Sequence, residues 1–393
     1  MKKTFNGERL KEARLYNKMT LTELAEKLNV TKQAISKYET GKNSPTFENS
    51  LQFYEVLGFP REFFYTGDTF HFESEGTFFR SRLTATQKSK QPAELLIKYS
   101  VIVRDFLSHY IEFPELKNRE NYQNITNIET LSSCIREDVG LGEGPISDIV
   151  EVAELMGFTV INSDYQEDKV DAFSSMNRIN SRNYFVITTG ESRSFYRQQF
   201  SMAHEIGHWV LHQHLDPAEL DKEEYRLMED QANKFASAFL LPRESFGKQL
   251  QTQKADDIET YFNFKRIWNV SMAAMIKRAY DLKIISIEVQ TKLYKQMSYR
   301  RWRNPEPFDL DTKRTIPVAF KQSIDLLIDA NVLQGHEVPV KIAQQYNLYL
   351  TNTMLAMVCG VNETVFTNNN ESKVIMKLKS FLPSIDSEAN YGN

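Results

Sequence analysis

The sequence predicts a multidomain protein with an all-α head, an α+β core that carries a metal site, and a mainly helical C-terminal region. Three observations lead to this fold class. Short amphipathic segments with helix caps fill the first sixty residues. Four of the seven histidines lie within eleven residues, 204–214, on one helical segment. Short apolar segments typical of strands precede that cluster.

The predicted domains follow changes of pattern along the 393 residues. The boundary before the core lies in the polar stretch ELKNRENYQNITN, and the last region carries no motif that assigns it a role. We expect a head over residues 1–68, a helical linker over 69–128, a core over 129–285 and a helical region over 286–393.

Composition excludes several classes of protein. A hydrophobic content of 41% and a charged content of 25% are ordinary for a globular chain. The net charge of −4 means that any nucleic-acid site must be local. Cys134 and Cys359 cannot form a disulfide framework. Because the sequence shows no signal peptide and no run of eighteen apolar residues, we expect a cytoplasmic protein with no membrane partner.

The head begins with helix caps at regular spacing. Thr20 and Glu23 have the spacing of a capping box before LTELAEKL, and Thr31 can cap KQAISKYE. Gly41 follows at the place of a left-handed cap. Two short helices joined by a tight turn inside a small bundle form a helix-turn-helix.

The outer face of the third helix decides between a plain bundle and a DNA-binding one. Lys32, Gln33, Ser36 and Lys37 point outward, and such side chains bond to base edges and phosphates. Residues 1–42 hold ten Lys or Arg and five Glu, so the segment is basic within an acidic chain. DNA binding is therefore favoured over a plain bundle.

Two other basic stretches each have two interpretations, a binding contact and a solvated helix face. Residues 80–90 could contact DNA or a partner, and the segment QMSYRRWR could contact nucleic acid. For both, a solvated helix face is the favoured interpretation.

The segment HEIGH carries the metal chemistry. His204 and His208 are four residues apart, so both lie on one helix face and can bind one ion. Glu205 lies beside them and can take a proton as a water attacks a carbonyl. This is the H-E-x-x-H arrangement of zinc peptidases.

The third ligand has two interpretations. His214 has the metzincin spacing, but Leu211 replaces the glycine that would turn the chain, and His212 lies about two turns from His204. The other candidate is Glu229, on a downstream helix predicted to begin near residues 216–217. Asn233, one turn after Glu229, could then orient a ligand histidine.

The head resembles the repressor family of phage Cro and lambda type. The similarity lies in LTELAEKLNVTKQAISKYETGKNSP. It implies a double-stranded DNA operator and allows for a homodimer. By this resemblance the residues that read bases are Lys32, Gln33 and Lys37. By the same resemblance, the residues expected to contact phosphate are Thr31, Ser36 and Asn43.

Residues from about Pro145 to Ile285 resemble the ImmA/IrrE family of zincin-like metallopeptidases. The similar segments are PISDIVEVAELMGFTVI, NYFVITTG, RQQFSMAHEIGHWVLH and the E-x-x-A-N-x-F-A pattern before LLP. With the head, somewhat more than half of the chain is covered. The resemblance implies zinc held by His204, His208 and Glu229, with Glu205 as general base. Asn233 and His212 are expected around the ligands.

These resemblances predict a transcription regulator with a zinc endopeptidase that cleaves a repressor or antitoxin-like partner and so relieves repression under stress or in response to DNA damage. The alternative is a transcription factor whose zinc domain senses or stabilises and cuts nothing. Glu205 favours the enzyme, because a structural zinc site needs no base. A fourth protein ligand such as His212 would favour the alternative.

Overall fold

The fold is that of a computed structural model, which describes residues 4–75, 87–162, 172–190, 194–213, 215 and 219–367. It has a helical head, a small mixed sheet flanked by helices, and a helical C-terminal region. The predicted fold class is confirmed.

The described residues form sixteen α-helices and four β-strands. The helices are α1 (Gly7–Tyr16), α2 (Leu21–Lys27), α3 (Lys32–Glu39), α4 (Phe47–Leu57), α5 (Gln87–Leu107), α6 (Ile128–Asp138), α7 (Ile149–Leu155), α8 (Phe195–His212), α9 (Lys222–Leu240), α10 (Lys248–Gln251), α11 (Ile258–Trp268), α12 (Met272–Asp281), α13 (Ile287–Tyr299), α14 (Ala319–Asp329), α15 (Glu337–Tyr346) and α16 (Asn352–Cys359). The strands are β1 (Phe72–Glu75), β2 (Thr159–Asn162), β3 (Ala172–Ile179) and β4 (Arg182–Thr189).

The head forms its helices where the caps predict them. Thr20 and Glu23 make the capping box of α2, and the Thr31 hydroxyl accepts from the Ala34 amide at the start of α3. Gly41 has φ of +69° after α3, which favours glycine. A buried ion pair joins α1 to α3, because the Arg14 guanidinium donates twice to the Glu39 carboxylate at 2.5 and 2.9 Å.

The sheet has the order β1-β3-β4-β2. β3 pairs antiparallel with β1 and β4, while β2 pairs parallel with β4. Side chains alternate between the two faces, as the period of two requires. Val160 and Ile187 point into a core with α8, whereas Ile161 and Val186 point into a different core with α5.

Two hydrophobic cores therefore lie on opposite faces of the sheet. One contains the head, α5 and the C-terminal helices α14–α16. The other contains α6–α9 and α11–α13. Polar contacts tie the first core together: the Tyr346 hydroxyl donates to the Asp105 carboxylate at 2.6 Å, and the Asn347 amide donates to the Gly67 carbonyl at 3.0 Å.

Two predictions about the whole chain can be compared with the described residues. Cys134 and Cys359 are both free thiols, and burial raises the pKa of the Cys359 thiol to about 12. None of the helices in the described ranges has the length and apolarity that a membrane span requires.

Candidate metal centre and helix-turn-helix face

The candidate metal centre lies where α8 and α9 cross. Gly207 on α8 makes this close approach possible, because a Cβ there would lie 3.0 Å from the Phe235 ring and 3.2 Å from the Ala232 carbonyl oxygen. α9 begins at Lys222, where Asp221 and Glu224 form its capping box. The predicted start near residues 216–217 is therefore too early for the helix that carries Glu229.

The two helices bring three predicted ligands to one point. The Nε2 atoms of His204 and His208 are 2.9 Å apart. The Glu229 carboxylate oxygens lie 3.6 Å from His204 Nε2 and 3.5 Å from His208 Nε2. Both histidines are buried, and Glu229 is 17% exposed at its side chain. The ligand atoms of all three lie within 4.8 Å of one another, so this group could hold a metal ion.

These distances fit a tetrahedral ion. Zinc bonds to nitrogen and oxygen of about 2.0–2.1 Å place neighbouring ligand atoms about 3.3 Å apart. The two Nε2 atoms are 2.9 Å apart, and they lie 3.6 Å from Glu229 Oε2 and 3.5 Å from Glu229 Oε1, respectively, so these separations lie on both sides of that value. A tetrahedral site with three protein ligands leaves one position for water or substrate.

Hydrogen bonds behind the histidines fix which ring nitrogen faces the ligand cluster. His204 Nδ1 donates to Asn233 Oδ1 at 3.0 Å. His212 Nε2 donates to Gln231 Oε1 at 2.9 Å, so its Nδ1 is left to accept from His208 Nδ1 at 3.1 Å. Both ligand rings therefore carry their proton on Nδ1. Their Nε2 lone pairs converge, which is the arrangement a cation requires.

The carboxylate of Glu205 is held by the sheet. The Ser174 hydroxyl on β3 donates to Glu205 Oε2 at 2.6 Å, and both residues are buried. Glu205 follows His204, a candidate ligand, on α8, so this hydrogen bond fixes a carboxylate beside the candidate cluster.

Ser174 and Gln231 hydrogen-bond to residues of the candidate metal centre, and the sequence pattern does not predict either contact. In β3, Ser174 lies on the face of the sheet toward α8, but spacing alone does not say that this serine meets Glu205. No sequence pattern marks Gln231 as a partner of His212, because the two residues lie on different helices. The assigned roles of the ligands, the base and the surrounding residues stay predictions, although the structure brings all of them together.

The predicted DNA-contacting residues lie apart from this cluster, at α3 and just beyond it. The exposed residues on α3 or at its N-cap are Thr31, Lys32, Gln33 and Lys37. Ser36 also lies on α3 and is half-buried, whereas Asn43 follows the helix and is exposed. The Thr31 hydroxyl accepts from the Ala34 amide as the helix cap, so a phosphate contact would share that oxygen. Ile35, at 0% exposure, anchors the helix to the head core.

Some sequence predictions fall elsewhere. His214 and residues 80–86 lie outside the described part of the chain, and residues 87–90 form the start of α5. In the segment QMSYRRWR, the guanidinium of Arg300 stacks on Trp302 at 4.6 Å and forms an ion pair with Glu259. These contacts agree with the favoured interpretation of a solvated helix end.

Comparison with known proteins follows the same division. Residues 10–64 match the helix-turn-helix family model. Residues 153–280 match the model of the M78 peptidase family, described as the IrrE N-terminal-like domain. The chain joins a helix-turn-helix segment to an IrrE-like segment. The IrrE-like segment contains α8 and α9, and so contains every residue of the ligand cluster.

Comparisons with solved structures and with curated proteins give weaker similarity than the two family models. A solved structure of a Mycobacterium tuberculosis transcriptional regulator is similar at 20% sequence identity, with a TM-score of 0.30. The similarity covers 46% of this chain and 51% of that structure, so the chain spans about half the length of that regulator. No curated protein matches the chain.

Proposed function

We propose that this chain is a DNA-binding transcription regulator whose IrrE-like segment is a zinc endopeptidase. The helix-turn-helix and IrrE-like matches support a DNA-binding regulator with an IrrE-like domain. The finer step, proteolysis, rests on one observation. A buried carboxylate, Glu205, is held by Ser174 next to three side chains that suit a metal.

The residues can carry out peptide hydrolysis in the following way. Zinc at this cluster would polarise a substrate carbonyl and make an attacking water more acidic. Glu205 takes the proton from that water and passes it to the leaving amide nitrogen. Ser174 keeps the Glu205 carboxylate in one orientation through both transfers, because its hydroxyl holds Oε2. Asn233 and His212 keep the ligand histidines in the tautomer that binds the ion.

The alternative, a zinc domain that cuts nothing, is less well supported. Such a site would be closed by a fourth protein ligand. His212 is the candidate for that place, but its two ring nitrogens meet His208 and Gln231. The geometry therefore favours a three-ligand site with one open position.

We infer that the substrate is a repressor or antitoxin-like protein, whose cleavage relieves repression under stress. DNA binding by the head would bring the peptidase to a substrate on the same or a neighbouring operator. Tethering of this kind raises the effective concentration of the reacting pair without any new contact.

The test compares partner cleavage, in the presence of operator DNA, by three forms of the full chain. The forms are the unchanged protein, Glu205→Gln, and a Gln33→Ala, Lys37→Ala double variant. Because the head shares its core with α5 and the C-terminal helices, it is disabled by surface substitutions rather than deleted. Glu223→Gln, at an exposed position of α9, is the control for the loss of one carboxylate.

We expect Glu205→Gln to keep its zinc and its DNA binding and to lose cleavage, while Glu223→Gln cleaves normally. Equal cleavage by the unchanged protein and Glu205→Gln would end the peptidase proposal. Equal cleavage by the unchanged protein and the double variant would end the tethering proposal and leave the enzyme standing.

A further inference from the structure

A cavity away from the metal centre lies where the two cores meet. It encloses about 360 Å³ between α5, α7, β2 and the N-terminal part of α14. This volume is within the range of small-molecule sites in proteins. The cavity has a charged end at Arg104, a polar wall at Thr159 and an apolar wall formed by α7 and α14.

Arg104 is a buried cation that lies within the electrostatic influence of Asp105, but the Asp105 carboxylate accepts hydrogen bonds from Arg182, Tyr184 and Tyr346 instead. It is 9% exposed, and its guanidinium stacks over the Phe113 ring at 3.4 Å from the centroid. Within the described residues, Nη1 donates to the Ser108 hydroxyl at 2.5 Å, and no carboxylate forms an ion pair with this arginine. Burial lowers the pKa of Arg104 to about 10, so the side chain stays charged at neutral pH.

Thr159, elsewhere in the lining of the cavity, adds a polar group that lacks a partner. It is 3% exposed on β2, and its Oγ1 is buried with no hydrogen-bond partner in the described part of the chain. Buried polar groups are nearly always hydrogen-bonded, and exceptions call for an explanation such as a ligand. A group that accepts from Arg104 and also reaches Thr159 would satisfy both.

The opposite wall is apolar and open to solvent. Leu155, Ile316, Val318 and Leu326 are 56%, 61%, 39% and 56% exposed, and all four line the cavity. Large exposed apolar side chains gathered at one place mark a binding site rather than ordinary surface. The ligand therefore has an apolar part.

The acidic residues of the cavity limit the charge of the ligand. The Glu154 carboxylate accepts from the amides of Val318 and Ala319, and Asp148 caps α7. Glu112 and Glu151 are exposed at the rim, so the entrance is acidic. An acidic entrance opposes an anion in proportion to its charge, so among anionic ligands it disfavours a monoanion least.

We propose that this cavity binds a small organic monoanion, a carboxylate on an apolar body, with the carboxylate at Arg104 and Thr159 and the body against α7 and α14. The site does not depend on the metal centre or on proteolysis. Bound there, the ligand would contact elements of both cores, because α5 and α14 belong to one core and α7 to the other.

The experiment is equilibrium dialysis of the full chain with octanoate as probe. Octanamide keeps the apolar body without the charge, and acetate keeps the charge without the body. We expect octanoate to bind with a Kd below about 1 mM, and at least about ten-fold more tightly than either analogue, because charge-assisted hydrogen bonds are the strong ones.

Two variants test the assigned residues. Arg104→Met should weaken octanoate binding at least about ten-fold. Arg266→Met is the matched control, since Arg266 is an exposed arginine that stacks on Phe308 at 5.4 Å. Leu155→Asn changes only an exposed position of the apolar wall and adds no charge, so it should also weaken octanoate while leaving acetate unchanged.

Equal affinity for octanoate and octanamide would overturn the proposal, and so would failure of octanoate to saturate the unchanged protein. Unchanged octanoate binding by Arg104→Met would overturn it as well. If Arg104→Met fails to fold, the Leu155→Asn result decides: weaker octanoate binding supports the site, and unchanged binding contradicts it.

Discussion

The metal centre and the outer face of α3 differ in where their polar groups find partners. At the candidate metal centre, buried and half-buried side chains hydrogen-bond to one another across α8, α9 and β3, through Asn233, His212 and Ser174. At α3, Lys32, Gln33 and Lys37 are exposed to solvent. One site is assembled by the fold, whereas the other is completed only by its ligand.

This difference has consequences for substitutions. Removing a group from the buried network leaves its partner without a hydrogen bond, and the geometry of its neighbours changes with it. Removing an exposed side chain from α3 leaves the free protein almost unchanged and affects only the complex. Three substitutions test this contrast, from the largest expected effect to the smallest.

Glu229→Ala should have the largest effect. It removes one of three ligand groups, so we expect zinc content to fall from about one ion per chain to near zero after dialysis. Metal analysis of the purified protein measures this. Asp230→Ala is the control, because Asp230 is the next residue but pairs with Lys234 on the exposed side of α9. Full zinc content in Glu229→Ala would assign the third ligand to another residue.

His212→Ala should have an intermediate effect. Removing the acceptor of the His208 Nδ1 proton should weaken zinc binding by about 10–100-fold, as losses of such outer partners do. A competition titration with a chromophoric chelator measures the affinity. His71→Ala, at an exposed histidine, is the control. An unchanged affinity in His212→Ala would mean that the tautomer of His208 is fixed in some other way.

Gln33→Ala should have the smallest effect, confined to the DNA complex. We expect a loss of about 1–3 kcal/mol in binding to the preferred operator and none in thermal stability. Titration of a labelled operator at several salt concentrations separates base contacts from phosphate contacts. Lys292→Ala on α13 is the control for an exposed polar change. A drop in stability without a change in affinity would contradict the assignment of α3.

Local spacing explains which parts of the fold were predictable. The capping residues Thr20, Glu23 and Thr31 act within one turn, and His204 and His208 share a helix, so the sequence contains the relevant distances. Local spacing therefore predicts the helix-turn-helix and the pairing of His204 with His208 on one helix face. The ligand set also depended on resemblance, because residue spacing alone left His212 and His214 as alternatives.

Contacts across long separations could not be predicted in this way. Ser174 meets Glu205 across 31 residues, and β1 pairs with β3 across about a hundred residues. The C-terminal helices join the core of the head, which their amphipathic pattern does not reveal. The domain boundaries stay a prediction.

The glycine at position 207 has a consequence for how such proteins are identified from sequence. Gly207 precedes His208, and it faces Ala232, which lies three residues after Glu229 on the other helix. A bulky side chain at 207 would act as a wedge and move Glu229 away from the histidines, although every ligand would remain in the sequence. A motif search that counts only His, Glu and His would accept that chain as a metalloprotein. A search that also requires a small residue at this position would reject it.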